Sequence, residues 1–558
     1  MTTMSKSIMF PAAASGNELN IKTRRILRAA SSVLFATALV SHAPAQSAGQ
    51  AKDPFDEAVR IADHLEPAIP RLQQAKIASE KLAALRAKTG RPPNILVFIV
   101  DDMGWGDLGA YGGGIAVGAP TPNIDRLARE GMKFTSFYAQ SLCTPSRAAL
   151  MTGRLPPRSG LTRPLLTGEN PKVNPWADEE TTAKLLSAAG YRTALTGKWH
   201  LGEMDGTHPH QVGYDEYLGI LSVASEMSQV IDGNIYPDLV NKPERMAAVR
   251  KLVLPEITAG ERGKPTRVVQ ELKTTEDMGK MDQVFADFSD GFIRRSVSQT
   301  KPFYLIHSFS RLHNDNYPAP GYAGKSPAGY PYKDAVVEVD DIVGRIMKTL
   351  KETGQLENTF VFFTSDNGAN EDVWPDGGYQ PWRGGKGTTW EGGVRLPGIA
   401  YWPGMITAGR ESDGLFDIMD LFNTSLAVAG ETSRISNARY VDGIDQSGFL
   451  LAEDGKSARQ TVFFYSDTAL TAMRWQEYKV HLKVFQTHSP RQNIDESTLV
   501  PTGTTPWVYN LYMDPKEQRS SGHRYFEWGL PRVVGFIKAH AGTYQKYPMK
   551  NLGLDVPR

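Results

Sequence analysis

The sequence predicts an α/β fold: a large, mainly parallel sheet flanked by helices, with a smaller C-terminal antiparallel subdomain. Three observations carry this. Residues 94–100 (NILVFIV) and 358–365 (NTFVFFTS) are short, continuous apolar runs, the pattern of strands buried on both faces of a parallel sheet. Helical stretches at 181–189 and 340–353 alternate with shorter apolar runs such as 303–308, and strand–helix alternation argues for a sheet with helices on both faces. Near Asp445 the texture changes to short strands at 462–464, 479–484 and 507–511, separated by turns and followed by a helix around 529–541.

Taken in order, residues 1–45 read as an export signal. Lys22, Arg24, Arg25 and Arg28 form a basic region, 29–40 is a short apolar run, and Ala43-Pro44-Ala45 offers a cleavage site near Ala45. The run falls short of the ~20 apolar residues that a permanent membrane anchor needs. The expectation is therefore a periplasmic or secreted protein without a membrane anchor. The surroundings of Arg24 and Arg25 weakly resemble a twin-arginine signal, so the export route stays open between that and the general one. Residues 46–93 read as a helical N-terminal extension, with 54–89 forming one or two amphipathic helices interrupted at Pro67 and Pro70. A catalytic domain is expected over 94–455 and the antiparallel subdomain over 456–558.

Bulk properties allow this organisation. The 558 residues exceed the ~100–200 of a single ordinary domain. Hydrophobic content of 41% and charged content of 22% suit a globular enzyme with a sizeable core. The formal net charge is +1, so no global field favours nucleic acid as a partner, and anion binding must come from local arrangement.

Cys143 is the single cysteine, which excludes an internal disulfide. One reading is an inert buried thiol. Its context points elsewhere. Pro145 suits the first position of a helix, and Ala148, Ala149, Leu150 and Met151 are good helix formers. Cys143 then lies at or just before a helix N-terminus, where free N–H groups favour developing negative charge, with Arg147 one turn further on.

Both long apolar runs end in oxygen ligands, Asp101-Asp102 after the first and Asp366-Asn367 after the second. In open α/β sheets ligands gather beyond the carboxyl ends of strands. Either pair alone reads as a turn. Two pairs, each closing a buried-strand pattern, point to one site. Three carboxylates and an amide suit a hard cation such as Ca²⁺ or Mg²⁺. In 196–202 (TGKWHLG), Lys198 offers charge and His200 a proton-transfer group, two residues apart and facing one way on an extended chain. In 383–394 (RGGKGTTWEGGV), glycines let backbone approach a ligand around Lys386.

The stretch 143–147 (CTPSR), with Leu150, Thr152, Gly153 and Arg154, resembles the signature of the formylglycine-dependent sulfatases, in the alkaline phosphatase superfamily. Further landmarks at 417–422, 427–430, 441–446 and 509–515 extend the resemblance over about 94–520. It implies an alkaline phosphatase-like fold and arylsulfatase-like hydrolysis of a small aryl or sugar sulfate. It implies that Cys143 is oxidised to formylglycine by a formylglycine-generating enzyme. It implies that Asp101, Asp102, Asp366 and Asn367, with the oxygen at position 143, hold Ca²⁺, Mg²⁺ being the alternative. The implied catalytic set is position 143, Arg147, Lys198, His200, His313 and Lys386. In that scheme the hydrated formylglycine attacks sulfur, while Lys198, Lys386 and His313 hold sulfate oxygens. Lys386 or His313 then protonates the leaving oxygen, and His200 assists expulsion of sulfate.

Two histidines are available for the sulfate side. His307 lies within the 303–308 run and reads as a core residue. His313 stands in a loop ahead of Pro318, as the family pattern asks, although Leu312 replaces the usual preceding proline. Two rival functions remain: a phosphodiester or phosphonate monoester hydrolase of the same superfamily, and a non-catalytic sulfated-glycan-binding protein with unmodified Cys143. Loops 203–260 and 311–332 are expected to shape the leaving-group pocket.

Overall fold

In this computed structural model, residues 58–169, 171–485, 499–521 and 525–553 are described. Strand β1 (Asn94–Val100) divides its side chains between two cores: Ile95, Val97 and Ile99 join one, while Leu96, Phe98 and Val100 join the other. Successive side chains of a strand point to opposite faces, so burial of both faces demands an unbroken apolar run. This is why the segment shows no alternation.

The other strands of the main sheet are β2 (Met132–Tyr138), β3 (Arg192–Lys198), β4 (Glu216–Ile220), β5 (Glu256–Glu261), β6 (Arg267–Glu271), β7 (Phe303–Ser308), β8 (Thr359–Ser365), β9 (Arg395–Tyr401), β10 (Arg410–Ser412) and β11 (Phe416–Asp417). Their order is β10-β2-β9-β8-β1-β7-β3-β4-β5-β6, with β11 beside β2. The centre, β8-β1-β7-β3-β4, is parallel throughout. Antiparallel β9 interrupts one side, and β5 and β6 close the other. The sheet is thus mixed but mostly parallel, as expected.

Helices cover both faces. Thr275–Ser298 and Pro331–Glu352 bury Phe292, Ile293, Val336 and Val339 against the Leu96 side. On the opposite side lie α1 (Leu72–Thr89), then α3 (Cys143–Thr152) and Asp420–Ala429; α2 (Pro122–Glu130) joins the Leu96 side. The helix expected at 340–353 begins earlier, at Pro331. Its first half hides its apolar period because Lys333 and Glu338 are buried in ion pairs with Asp107 and Arg311. The stretch expected to be helical from 54 becomes so only after Pro70; from Ala58 onward it makes bridges, Val59 with Ala68 and Leu65 with Val441.

The C-terminal region forms a separate antiparallel sheet of β12 (Thr461–Ser466), β13 (Ala469–Trp475), β14 (Tyr478–His481) and, after the small pair β15 (Lys483–Phe485) and β16 (Leu499–Pro501), β17 (Trp507–Asn510). Helix Leu530–Lys546 follows. The strand expected at 479–484 is divided between β14 and β15. The expected export segment lies outside the described residues. Among the described residues, no helix is long and apolar enough to cross a membrane.

Candidate active site

Val100 stands opposite Ser365 in the β1–β8 register, so the two acidic pairs leave the sheet side by side. The Asp366 N–H donates to Val100 O (3.0 Å), and the Asp102 N–H donates to Asp366 Oδ1 (3.2 Å). Asp102 holds a left-handed backbone (φ 62°), costly for a side chain other than glycine and typical of functional turns. Helix α3, which follows β2, begins at Cys143. Asp101, Asp102, Asp366 and Cys143 each present one atom, all within 4.8 Å of one another and all buried. Cys143 Sγ lies 3.5 Å from Asp101 Oδ1.

Asn367 supplies a test of whether this cluster suits a cation. Its Nδ2 donates to Asp102 Oδ1 (2.7 Å) and Gly368 O (3.0 Å). Its Oδ1 is buried and has no donor among the described residues. Leaving a buried acceptor unmet costs about 1–3 kcal/mol. A hard cation among three carboxylates would meet it. Oxygen donors without histidine nitrogen fit Ca²⁺ or Mg²⁺.

The electrostatics agree with the geometry. Burial, then the neighbouring Asp101 charge, pushes the Asp366 carboxyl up to about 7 in spite of Arg147. Burial would raise Asp101 as well, but Lys198, His313, Arg147 and Lys386 outweigh it and hold that carboxyl well below its ordinary value. Burial first, then Asp366, pushes the Cys143 thiol up. A buried thiol kept protonated is a poor nucleophile.

Arg147 locks four elements together. Its Nε donates to Asp366 Oδ2 (2.9 Å), and its Nη1 donates to Ser308 Oγ (2.6 Å) and Lys198 O (3.2 Å). Ser308, at the end of β7, was not singled out by the sequence; only the Gly197–Ser308 register brings it here. Lys198 Nζ lies 2.5 Å from Asp101 Oδ2 and Lys386 Nζ 2.8 Å from Asp102 Oδ2, so each lysine neutralises one carboxylate of the pair.

His200 does not continue an extended chain, contrary to expectation: β3 ends at Lys198, and His200 takes a left-handed turn (φ 55°). Its Nε2 lies 3.1 Å from Leu165 O and must carry the proton to bond a carbonyl. Nδ1 is then the lone-pair nitrogen, buried and without a protein partner among the described residues. Burial, and next the Lys198 charge, hold the imidazole well below its ordinary value, so it is neutral at neutral pH. His313 turns Nδ1 to Asn314 O (2.6 Å) and leaves Nε2 3.8 Å from Asp102 Oδ2. His307 sits in β7, bonded through Nδ1 to Ser289 Oγ (2.8 Å) and ringed by Phe98 and Phe309. The structure thus brings His313 to the cluster and leaves His307 in the core.

The Lys386 loop depends on close backbone approach. A Cβ on Gly392 would stand 2.0 Å from Gly384 O, and Gly387 has φ +84° while its N–H donates to Ser141 O (2.7 Å). Glu391 ends this loop in a buried ion pair with Lys479 of β14 (2.9 Å) and accepts from Tyr138 (2.8 Å); its N–H donates to Glu517 (2.6 Å). The C-terminal sheet therefore anchors the loop. Sequence reading missed Lys479 and Glu517 because their partners lie far away along the chain.

A cavity of about 210 Å³ opens onto the cluster, lined in part by Cys143, His200, His313 and Lys386. A larger cavity of about 360 Å³, against Arg60, Glu66 and His540, holds none of these groups.

The comparisons agree with this geometry. Residues 93–431 match the sulfatase family, and residues 457–549 match the C-terminal region of aryl-sulfatase. N-acetylgalactosamine-6-sulfatase of Rattus norvegicus is 37% identical over 489 residues, covering 82% of this chain and 87% of the relative. Arylsulfatase A of Homo sapiens is 34% identical over 444 residues, covering 76% and 83%. The crystal structure of PsFucS1 sulfatase from Pseudoalteromonas sp. superposes with a TM-score of 0.87 at 55% identity, covering 89% of this chain and 99% of that one. Fold, motifs and relatives together place the chain in the sulfatase family, as a sulfuric ester hydrolase.

Proposed function

We propose that the protein hydrolyses a small sulfated substrate, a sugar sulfate in preference to an aryl sulfate, using Cys143 as formylglycine beside a divalent cation, with Ca²⁺ favoured and Mg²⁺ the alternative. The observation that carries this reading is the convergence of Cys143 with Asp101, Asp102 and Asp366 within 4.8 Å. The preference for sugar rests on relatives named for a sulfated amino sugar. When present, the cation supplies positive charge to the sulfate end and the hydrated aldehyde supplies a hydroxyl nucleophile.

The chain's own residues do the rest. Asp101, Asp102, Asp366 and Asn367 would hold the cation. Arg147 fixes Asp366 against β7 through Ser308. His200 Nδ1, a lone pair with no protein partner among the described residues, takes up a proton during release of sulfate. Lys386 and His313, in the cavity wall, face the sulfate oxygens, and Lys386 or His313 supplies the proton to the leaving oxygen. Lys198 keeps Asp101 charged and contributes to the positive field at the sulfate. Maturation by a formylglycine-generating enzyme and export to the periplasm or beyond complete the reading, with residues 94–455 as catalytic domain and 456–558 as C-terminal subdomain.

Mass spectrometry of the peptide containing residue 143 tests this directly. An aldehyde, with turnover of sulfate esters above phosphodiesters, is expected. A thiol with no turnover would favour the binding-protein reading, and faster phosphodiester cleavage would favour the rival hydrolase.

A further inference from the structure

Two chemically different groups of residues line the cavity. Cys143, His200, His313 and Lys386 surround the place proposed for the sulfate. Glu226 and Gln229, from the chain after β4, and Asn314 and Asn370 form the other group. Lys386 is the one lysine or arginine among the described residues lining the cavity, and its ammonium is 2.8 Å from Asp102. Beside it and the two histidines, no basic side chain among the described lining residues could meet a second anion.

Glu226 also lines a smaller cavity of about 70 Å³ with Thr167 and Ser222, and these two residues hold its carboxylate. Its Oε1 accepts the Thr167 N–H (3.1 Å), and its Oε2 accepts the hydroxyls of Thr167 and Ser222. Glu203 stands behind it, sharing Thr167 Oγ1 (3.3 Å). Burial, and next the charge of Glu226, raise the Glu203 carboxyl to about 7. Gln229, Asn314 and Asn370 add neutral hydrogen-bonding groups. The cavity's roughly 210 Å³ is below the ~300–1,000 Å³ of ordinary ligand pockets, which suits one small ring in place of an extended chain.

We propose that Glu226 makes this site selective for a ring that carries one sulfate and is otherwise uncharged, and that it rejects a ring bearing a second sulfate or a carboxylate. The inference deepens the sulfatase reading and rests on it. Hydroxyls of the ring meet the carboxylate and amides of the cavity wall. A second anion there would lose its water and face a carboxylate with no compensating cation, a repulsive element that confers specificity.

The test compares kcat/KM for an aryl sulfate, a neutral monosaccharide monosulfate, and the same sugar carrying a second sulfate or a uronate carboxylate. These are measured with the mature enzyme and with Glu226→Gln and Gln229→Lys. Ratios within each protein cancel losses from misfolding. The native enzyme is expected to prefer the monosulfate at least about tenfold. Each variant should narrow that gap by about tenfold, and high salt should narrow it in the native enzyme through screening. Equal rates on mono- and disulfated sugars, or an unchanged ratio in both variants, would overturn the selectivity while aryl sulfate turnover keeps the sulfatase reading intact. Absence of turnover on every sulfate would overturn both.

Discussion

Asn367 donates its amide N–H to Asp102 Oδ1 at 2.7 Å, and this bond decides which way the amide faces. With Nδ2 committed, Oδ1 is left as a buried acceptor with no protein donor among the described residues. The same bond removes one Asp102 lone pair from competition. The pair behaves as a unit: Asp102 orients the amide that would complete the proposed cation site.

Removing the cation should therefore cost stability as well as activity. Dialysis against a chelator is expected to lower the melting temperature, with recovery on adding Ca²⁺. At a hundredfold excess over Kd the linkage amounts to ~2.7 kcal/mol. Asn367→Leu should weaken the Ca²⁺ dependence of melting by at least tenfold in concentration. Calorimetry that shows undiminished Ca²⁺ binding by this variant would contradict the assigned ligand.

Cys143→Ser should fold, because the change is small and the site polar, but turnover should stop. Rapid-quench measurement is expected to show a burst of about one leaving-group equivalent followed by a stall, the mark of a trapped covalent step. Sustained turnover by the variant would remove the need for an aldehyde hydrate.

Acid sensitivity should trace partly to His307. Burial holds its folded pKa at about 3, whereas the unfolded imidazole titrates near its ordinary 6.5. Between those values the unfolded chain binds the extra proton. Stability is thus full above 6.5 and is lost as pH falls toward 3. At pH 4.5 the loss is about 2–3 kcal/mol at 1.36 kcal/mol per unit. His307→Phe should flatten the denaturant-derived stability between pH 7.5 and 4.5. A variant with the native slope would exclude this histidine as a cause.

Lys479 touches nothing in the cavity, yet Lys479→Met should impair catalysis. The substitution removes the buried ammonium shared by Glu391 and Glu517, leaving them Arg395 (3.4 Å) and His481 (2.7 Å) as remaining partners; breaking buried pairs costs up to about 3–5 kcal/mol. Because Glu391 ends the loop bearing Lys386, the variant should lower kcat more than it raises KM at temperatures where it remains folded. A purely structural role would reduce the amount of active enzyme and leave the pH profile of kcat unchanged. A positioning role shifts that profile's alkaline limb.

The sequence by itself determined the strand cores and the chemistry at their ends. Strands buried on both faces must be continuous apolar runs, so 94–100 and 303–308 were legible to the residue, and Asp101, Asp102, Asp366 and Asn367 could be placed at strand ends. Cys143 at a helix start followed from Pro145 and the alanines behind it. Tertiary structure alone decided what depends on register and on contacts between distant segments. It placed Ser308 under Arg147, separated His313 from His307, fixed the tautomer of His200, and tied Lys479 to the Lys386 loop across 88 residues. The physical reason is one of range. Burial and backbone propensity act along the chain and leave a period in it, whereas an ion pair or hydrogen bond between remote residues leaves no local mark on either partner.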